Sequence, residues 1–237
     1  MKIVVLTTQT THHTYFVREL QRSFPVSAVL VETEALQPSF ATHHPFEDER
    51  ERYERKVFFG GKSIALAGLV ASKTVRCVNN REAIRWLKRT KPEVTIVFGT
   101  GRIRPEVIRL CGRNVLNLHG GDPREYRGVD SHLWAIYHKD FNALKVTLHK
   151  VNAALDDGEI VGQGKIRIAP GMKLSEVRRR NTEICVRLVK QALRQISRNG
   201  VVPSTRQKKK GRYYSFMPSC LKGICVRHFD DYVRSKR

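Results

Sequence analysis

The chain lacks any run approaching the roughly 18 uncharged apolar residues of a membrane-spanning helix. Its opening stretch, MKIVVLTTQTTHHTYFVREL, has neither the apolar core nor the small-residue cleavage site of a secretory leader. Cysteine is sparse: Cys77, Cys111, Cys185, Cys220 and Cys225 are odd in number and scattered. That argues against a disulfide framework and suits reduced thiols in a cytoplasm, packed as small hydrophobes. Cys220, Cys225 and His228 are spaced like half a metal site, yet no fourth ligand stands nearby. No second His or Cys stands at ligand spacing beside His119 either, so no metal is expected. There is no internal repeat. Acid is also in short supply, with 22 Asp and Glu against 44 Lys and Arg, a net charge of +22.

That charge is unevenly spread. Residues 172–237 hold 18 Lys and Arg against 4 Asp and Glu, while residues 1–171 hold 26 against 18. The last quarter of the chain should therefore attract anions: nucleic acid, a nucleotide-linked substrate, a polyanionic glycan or an acidic membrane surface. With 237 residues and 41% hydrophobic content, the chain can bury one large α/β core. Apolar strands are expected at Lys2–Leu6, Ser27–Glu32, Lys73–Val78, Val94–Phe98, Val115–Leu118, Lys145–Lys150 and Ile160–Ile168. Helices are expected at Thr14–Ser23, Arg81–Arg89, Pro105–Leu110, Asp130–Tyr137 and Leu174–Arg198, with an exposed one in FEDERERYERK. This alternation predicts a Rossmann-like α/β fold, a doubly wound and mostly parallel sheet. The domain boundary is expected after residue 199: residues 1–199 form the catalytic unit, and residues 200–237 a basic, aromatic appendage behind a charged linker.

The most informative stretch is LNLHGGDPREYRGVDSHLWAI. A strand ends in Asn117-Leu118-His119, so the Asn and the His share a side and Leu118 takes the other. Ligands of open α/β sheets bind at such carboxyl ends. Further on, LDDGEIVGQ makes a tight Asp-Asp-Gly turn whose carboxylate could meet the imidazole and favour its charged form. An amide donor, a titrating His and an orienting Asp suit attack on a carbonyl. A surface-loop His with no role is the plain alternative.

Three segments together resemble the formyltransferase family, which moves a formyl group from 10-formyltetrahydrofolate to an amine. They are VTIVFGTGRIRPEVI, NLHGGDPREYRGVDSHLWAI and LDDGEIVGQ, in the family's order and over about residues 1–199. The resemblance implies Asn117 as oxyanion donor, His119 as the proton-handling imidazole and Asp156 as the residue that orients and charges it. Asp157 falls where the family tolerates many residues. Phe98, Gly99, Gly101, Arg102, Ile103 and Arg104, with Leu155 before Asp156, would flank the pterin, and 10-formyltetrahydrofolate is the implied co-substrate, with no metal.

The family's usual Pro-Ser after the His is here Gly120-Gly121-Asp122. The two glycines allow close approach of substrate or loop backbone. Asp122 is a candidate for an acceptor hydroxyl or ammonium, or simply turns the chain before Pro123. The first βα loop, TTQTTHHT, has no glycine to cradle a ribonucleotide phosphate. His12 and His13 there are candidate acceptor contacts, or belong to a solvated loop or helix start, and His43-His44 reads as exposed loop. The residues after the long helix are too few for the tRNA-binding domain of methionyl-tRNA formyltransferase. By exclusion the expected partner is a small amino-sugar acceptor, carried on a nucleotide or lipid, in the cytoplasm. Nucleic acid is not the expected partner, and the aromatic tail is a candidate homodimer contact. The alternatives are another amine, such as an aminoacyl-tRNA, or a catalytically silent polyanion binder.

Overall fold

The computed structural model describes residues 1–34, 37–152 and 156–236. Leu155 lies outside these. In chain order the elements are β1 (Ile3–Thr8), α1 (Thr11–Gln21), β2 (Val26–Glu32), α2 (Pro45–Phe59), β3 (Ser72–Val75), α3 (Arg81–Thr90), β4 (Val94–Phe98), α4 (Pro105–Ile108) and β5 (Asn114–His119). They continue with β6 (Tyr126–Gly128), α5 (Ser131–Tyr137), β7 (Lys145–Lys150), β8 (Ile160–Lys165), α6 (Val177–Asn199), β9 (Arg212–Tyr214) and α7 (Ser219–Arg234).

β1, β2 and β4 are largely apolar because both faces of a parallel sheet are covered, whereas β3, at the sheet edge, is polar and mostly exposed. They build an α/β fold around a seven-stranded sheet of order β3-β2-β1-β4-β5-β7-β8, parallel from β3 to β5. β7 then pairs antiparallel to β5, and β8 antiparallel to β7. Alternation along the strands divides the core in two. Ile3, Val5, Ile96, Leu116 and Leu118 join α1, α5, α6 and α7 on one face, and Val4, Leu6, Val97 and Val115 join α3 and α4 on the other.

α1 starts three residues earlier than the apolar pattern suggests, because Thr10 caps it, its hydroxyl accepting from His13 N. His12 and His13 therefore sit in the first helical turn and are buried rather than in solvated loop. α2 is also less exposed than its charged sequence implies. Phe46, Phe58 and Phe59 face the core, and Glu54 is fully buried against Arg178 at 2.6 Å. His44 caps this helix, its Nδ1 accepting from Phe46 N.

The segment read as a linker and appendage is packed into the same molecule. β9 pairs in parallel with β6, and α7 lies on α5. Met217, Cys225, Phe229 and Val233 complete the main apolar cluster, while the Phe141 and Tyr232 rings stack at 3.7 Å. Lys222, nearly fully buried, reaches Glu47 at 2.8 Å. All five cysteines are free, and burial pushes the Cys111 and Cys225 thiols up to about 12. Among the described residues, no helix is long and apolar enough to cross a membrane.

Phe229 has no exposed surface. Phe229→Ala should therefore cost about 3–5 kcal/mol in denaturant unfolding, as a core truncation does. A change below about 1 kcal/mol would mean the tail is dispensable to the core.

Candidate active site

The sheet delivers its polar residues at the carboxyl ends of β1, β4 and β5. Leu116 and Leu118 are buried on one face, which leaves Asn117 and His119 together on the other. The antiparallel register then sets Asn117 opposite His149 and His119 opposite Thr147. Asn117 Nδ2 lies 3.1 Å from His149 Nε2. His149 Nδ1 donates to its neighbour's carbonyl, Lys150 O, at 2.8 Å, which leaves Nε2 as the acceptor for Asn117.

Asp156 meets both imidazoles. Its Oδ2 is 3.7 Å from His119 Nδ1, and its Oδ1 is 3.6 Å from His149 Nε2. Gly128 N donates to Oδ2 at 2.9 Å. Asp156 is in the left-handed region at φ 51°, and Gly158 lies so close to Lys150 O that any Cβ would collide at 1.6 Å. Burial works against the Asp156 charge, but His119, His149 and the Gly128 N–H hold its carboxyl down at about 2. His119 Nε2 donates to Tyr126 O at 2.8 Å, so Nδ1 is the nitrogen left to take a proton, directly against Asp156. Burial is the largest influence on His119 and places it below its usual value; Asp156 and the Tyr126 carbonyl pull the other way. The ring therefore rests neutral, with a carboxylate in place to stabilise its charged form.

A cavity of about 210 Å³ opens beside His119 and Gly120, walled by His12, Arg50, Arg178 and Asn181. Asn181 Oδ1 and Arg50 Nε are both buried without a hydrogen-bond partner. A Cβ on Gly120 would come within 3.6 Å of that Asn181 oxygen, and one on Gly121 within 2.9 Å of His119 Nε2. The two glycines thus leave room where the cavity meets the imidazole. His132 closes the cavity from α5. Its Nε2 donates to Lys145 O at 2.6 Å, and burial brings its pKa down to about 4. His13 sits behind, its ring 4.4 Å from Phe98 and under Gly99, where a Cβ would strike it at 2.3 Å. Its pKa is lowered to about 3 by burial and then by Arg178.

The loop after β4 is pinned to the protein rather than to this cavity. Gly101 N donates to Glu32 Oε2 at 2.7 Å, Arg104 N to Asn79 Oδ1 at 2.8 Å, and Asn79 Nδ2 to Arg102 O at 2.8 Å. Ile103 is buried among α3 and α4. Asp122 turns inward: Arg124 takes both its oxygens at 2.9 and 2.8 Å, and Lys145 adds a contact at 2.9 Å. Those cations hold its carboxyl far below the usual range in spite of burial. A larger open basin of about 820 Å³ is lined by Asp122, Arg124, Lys145 and residues 206–209. None of Asn117, His119 or Asp156 lines it.

The structure thus brings Asn117, His119 and Asp156 together, adds His12 and Gly120 at the cavity, and sets His13 and the 98–104 loop to one side. Several residues escaped sequence reasoning, Arg50, Arg178 and His132 at the cavity among them. His149 is a lone imidazole in the alternation KVTLHK, and Asn181 is an amide within the buried stripe of α6; both had a visible signal. Glu32, a buried acid ending an apolar strand, had one too. Gln207, which donates to Asp156 O and Gly158 O, had none. Among the described residues, no group of three or more His, Cys, Asp or Glu is placed to hold a metal.

The sequence matches the Formyl transferase family over residues 1–193, so the chain belongs to that family. A methionyl-tRNA formyltransferase of Caldicellulosiruptor saccharolyticus is 27% identical over 139 residues, 58% of this chain and 44% of that protein. The chain spans less than half the length of such relatives. Among solved structures, a sugar N-formyltransferase from a Shewanella species superposes with TM-score 0.62 at 14% identity, covering 97% of this chain and 88% of that one. A formyltransferase from Anoxybacillus kamchatkensis, solved with UDP-4,6-dideoxy-4-formamido-L-AltNAc and tetrahydrofolate, gives 0.55 at 19%, covering 91% and 86%. At these identities the structural likeness establishes the fold.

Because His132 and His13 titrate near 4 and 3 in the folded protein, against 6.5 when free, the unfolded chain binds their protons first on acidification. Stability should therefore be full above about pH 6.5 and fall as the pH drops towards 4. In urea unfolding at several pH values, His132→Gln should flatten part of that slope; an unchanged slope contradicts the assignment.

Proposed function

We propose that the protein transfers the formyl group of 10-formyltetrahydrofolate to the primary amine of an amino sugar carried on a nucleotide or lipid. The observation that carries this reading is the pairing of His119, backed by Asp156, with a small polar cavity at Gly120. The cavity's 210 Å³ equals roughly seven waters, the scale of one sugar ring. Its unpaired Arg50 donor and Asn181 acceptor suit hydroxyl or acylamino groups, which offer both halves of a hydrogen bond.

The electrostatics suit the chemistry. The guanidiniums of Arg50 and Arg178 disfavour an ammonium, so an amine seated there is held in its nucleophilic, neutral form. The amine nitrogen attacks the formyl carbon, and the new C–N bond forms as the carbonyl oxygen takes the negative charge. Asn117 has one Nδ2 hydrogen committed to His149 and a second free to donate to that oxyanion. His119 accepts the proton released by the attacking nitrogen, with Asp156 stabilising the imidazolium. The bond to the folate nitrogen then breaks, and that nitrogen takes the proton from His119. In this reading the folate enters by the 98–104 loop, and the acceptor contacts are His12, Gly120 and Asn181, since Asp122 is already occupied by Arg124 and Lys145. Relatives named for methionyl-tRNA favour the second reading, an aminoacyl-tRNA amine as acceptor.

The test is incubation with 10-formyltetrahydrofolate and a panel of nucleotide-linked amino sugars, followed by mass spectrometry. A formylated sugar made by the wild type, absent with His119→Ala and reduced on the order of 10²–10³-fold with Asn117→Ala, supports the proposal. Formylation of aminoacyl-tRNA alone transfers it to the second reading. If an amino sugar is the acceptor, Asn181→Leu should raise the acceptor KM about tenfold or more while leaving the folate KM in place, the cost of losing a buried polar contact. Equal rises in both would remove Asn181 from the acceptor seat.

A further inference from the structure

Residues 204–214 form a strap that fastens both halves of the candidate site. Thr205 exchanges two backbone hydrogen bonds with Ile160, each 2.8 Å, bringing the strap beside the start of β8. Gln207 follows, and its Nε2 donates to two carbonyls of one turn: Asp156 O at 3.1 Å and Gly158 O at 2.8 Å. Both hydrogens of that amide are spent there. Lys210 approaches Asp157 at 3.8 Å, and Lys209 reaches Glu125 at 2.7 Å. Gly211 N then donates to Pro123 O and Arg212 N to Glu125 O, each at 3.1 Å, before β9 joins β6. The strap therefore ties the turn that carries Asp156 to the loop that runs from His119 to Gly128.

The turn needs such a tie. Asp156 occupies the left-handed region, which a residue other than glycine adopts at a cost, and it persists where surrounding contacts over-determine it. Its neighbour Gly158 is wedged against Lys150 O. Carbonyls turned away from any ladder need donors of their own, and one side chain from the strap supplies two. We propose that Gln207 is a positioning residue for formyl transfer: by clamping the Asp156 and Gly158 carbonyls it holds the Asp156 carboxylate against His119 and His149. This rests on the reading of Asp156 as the group that charges His119.

The groups facing His119 are Asp156 from the turn, His149 from β7, Asp122 from its own loop and His132 from α5. Across the cavity stand His12 from α1, Arg50 from α2 and Arg178 from α6. Of these, Asp156 and Asp122 raise the His119 affinity for a proton, and only the Asp156 contact depends on the turn that Gln207 clamps.

The experiment uses full-length Gln207→Ala, with Gln207→Glu (which keeps the length and cannot donate) and Gln207→Arg (which restores donors), and Lys209→Ala as a strap control. Formyl-transfer kinetics are read beside an NMR titration of the His119 ring. Gln207→Ala and Gln207→Glu should lose kcat on the order of 10²-fold, the scale of a misplaced catalytic group, with both KM values little changed. The His119 midpoint should move further down as the carboxylate recedes. Gln207→Arg should recover much of both, and Lys209→Ala should match the wild type. If Gln207→Ala does not fold, Gln207→Glu carries the same expectation. Wild-type kcat and titration in the Gln207 variants, or equal losses in Lys209→Ala, overturn the proposal. If the wild type itself transfers no formyl group, the functional reading fails separately: a shifted His119 titration still supports the clamp, and an unshifted one sinks it.

Discussion

A carboxylate buried between two imidazoles is the constraint around which this structure is arranged. A desolvated charge survives only where partners compensate it: Asp156 accepts the N–H of Gly128 and lies 3.7 and 3.6 Å from the rings of His119 and His149, which counter its charge when either takes a proton. Each partner comes from a different segment. His119 ends β5, His149 lies in β7, and Gly128 closes β6. Keeping those segments in register is the work of the antiparallel β5–β7 pairing, which puts Asn117 and His149 side by side. The same arrangement fixes the Asn117 amide, since the tautomer of His149 is set by the Lys150 carbonyl.

The neighbourhood of His119 is tuned in two directions. Burial pushes imidazoles towards neutrality at His12, His13 and His132, helped at His12 and His13 by nearby guanidiniums, whereas Asp156 pulls His119 back. In the proposed transfer His119 takes a proton and returns it within one reaction, which needs a base poised between these influences. The glycines at 120 and 121 contribute by omission, keeping side chains out of the space between ring and cavity.

Much of this was legible in the sequence, for physical reasons that can be named. Apolar runs such as KIVVL and VTIVF announce strands covered on both faces, and alternation about Leu118 puts Asn117 and His119 on one side. An Asp-Asp-Gly turn announced a carboxylate that could reach the imidazole, and the family resemblance picked Asp156 out of the pair. What local pattern could not carry were contacts set by tertiary packing. The burial of His12 and His13 was hidden because it depends on Phe98 and Gly99, far along the chain. Asp122 looked available because Lys145, its partner from β7, is distant in sequence. The run read as a linker from its lysines and glycine is bound by backbone hydrogen bonds at Thr205, Gly211 and Arg212, which composition does not encode. Gln207 was invisible for the same reason: an amide within a basic run has no periodicity to betray it.

The position of the strap has a consequence for how the molecule comes into being. Chains are made from the amino terminus, and early segments begin to fold while later ones are still being synthesised. The last strand of the main sheet ends at residue 165, yet the contact onto Asp156 comes from a residue 51 positions downstream. A nascent chain halted between those points carries Asn117, His119 and Asp156 without the tie that closes their turn. The molecule thus passes through a stage of synthesis in which all of its strap-held site residues exist and its carboxylate is not yet fastened.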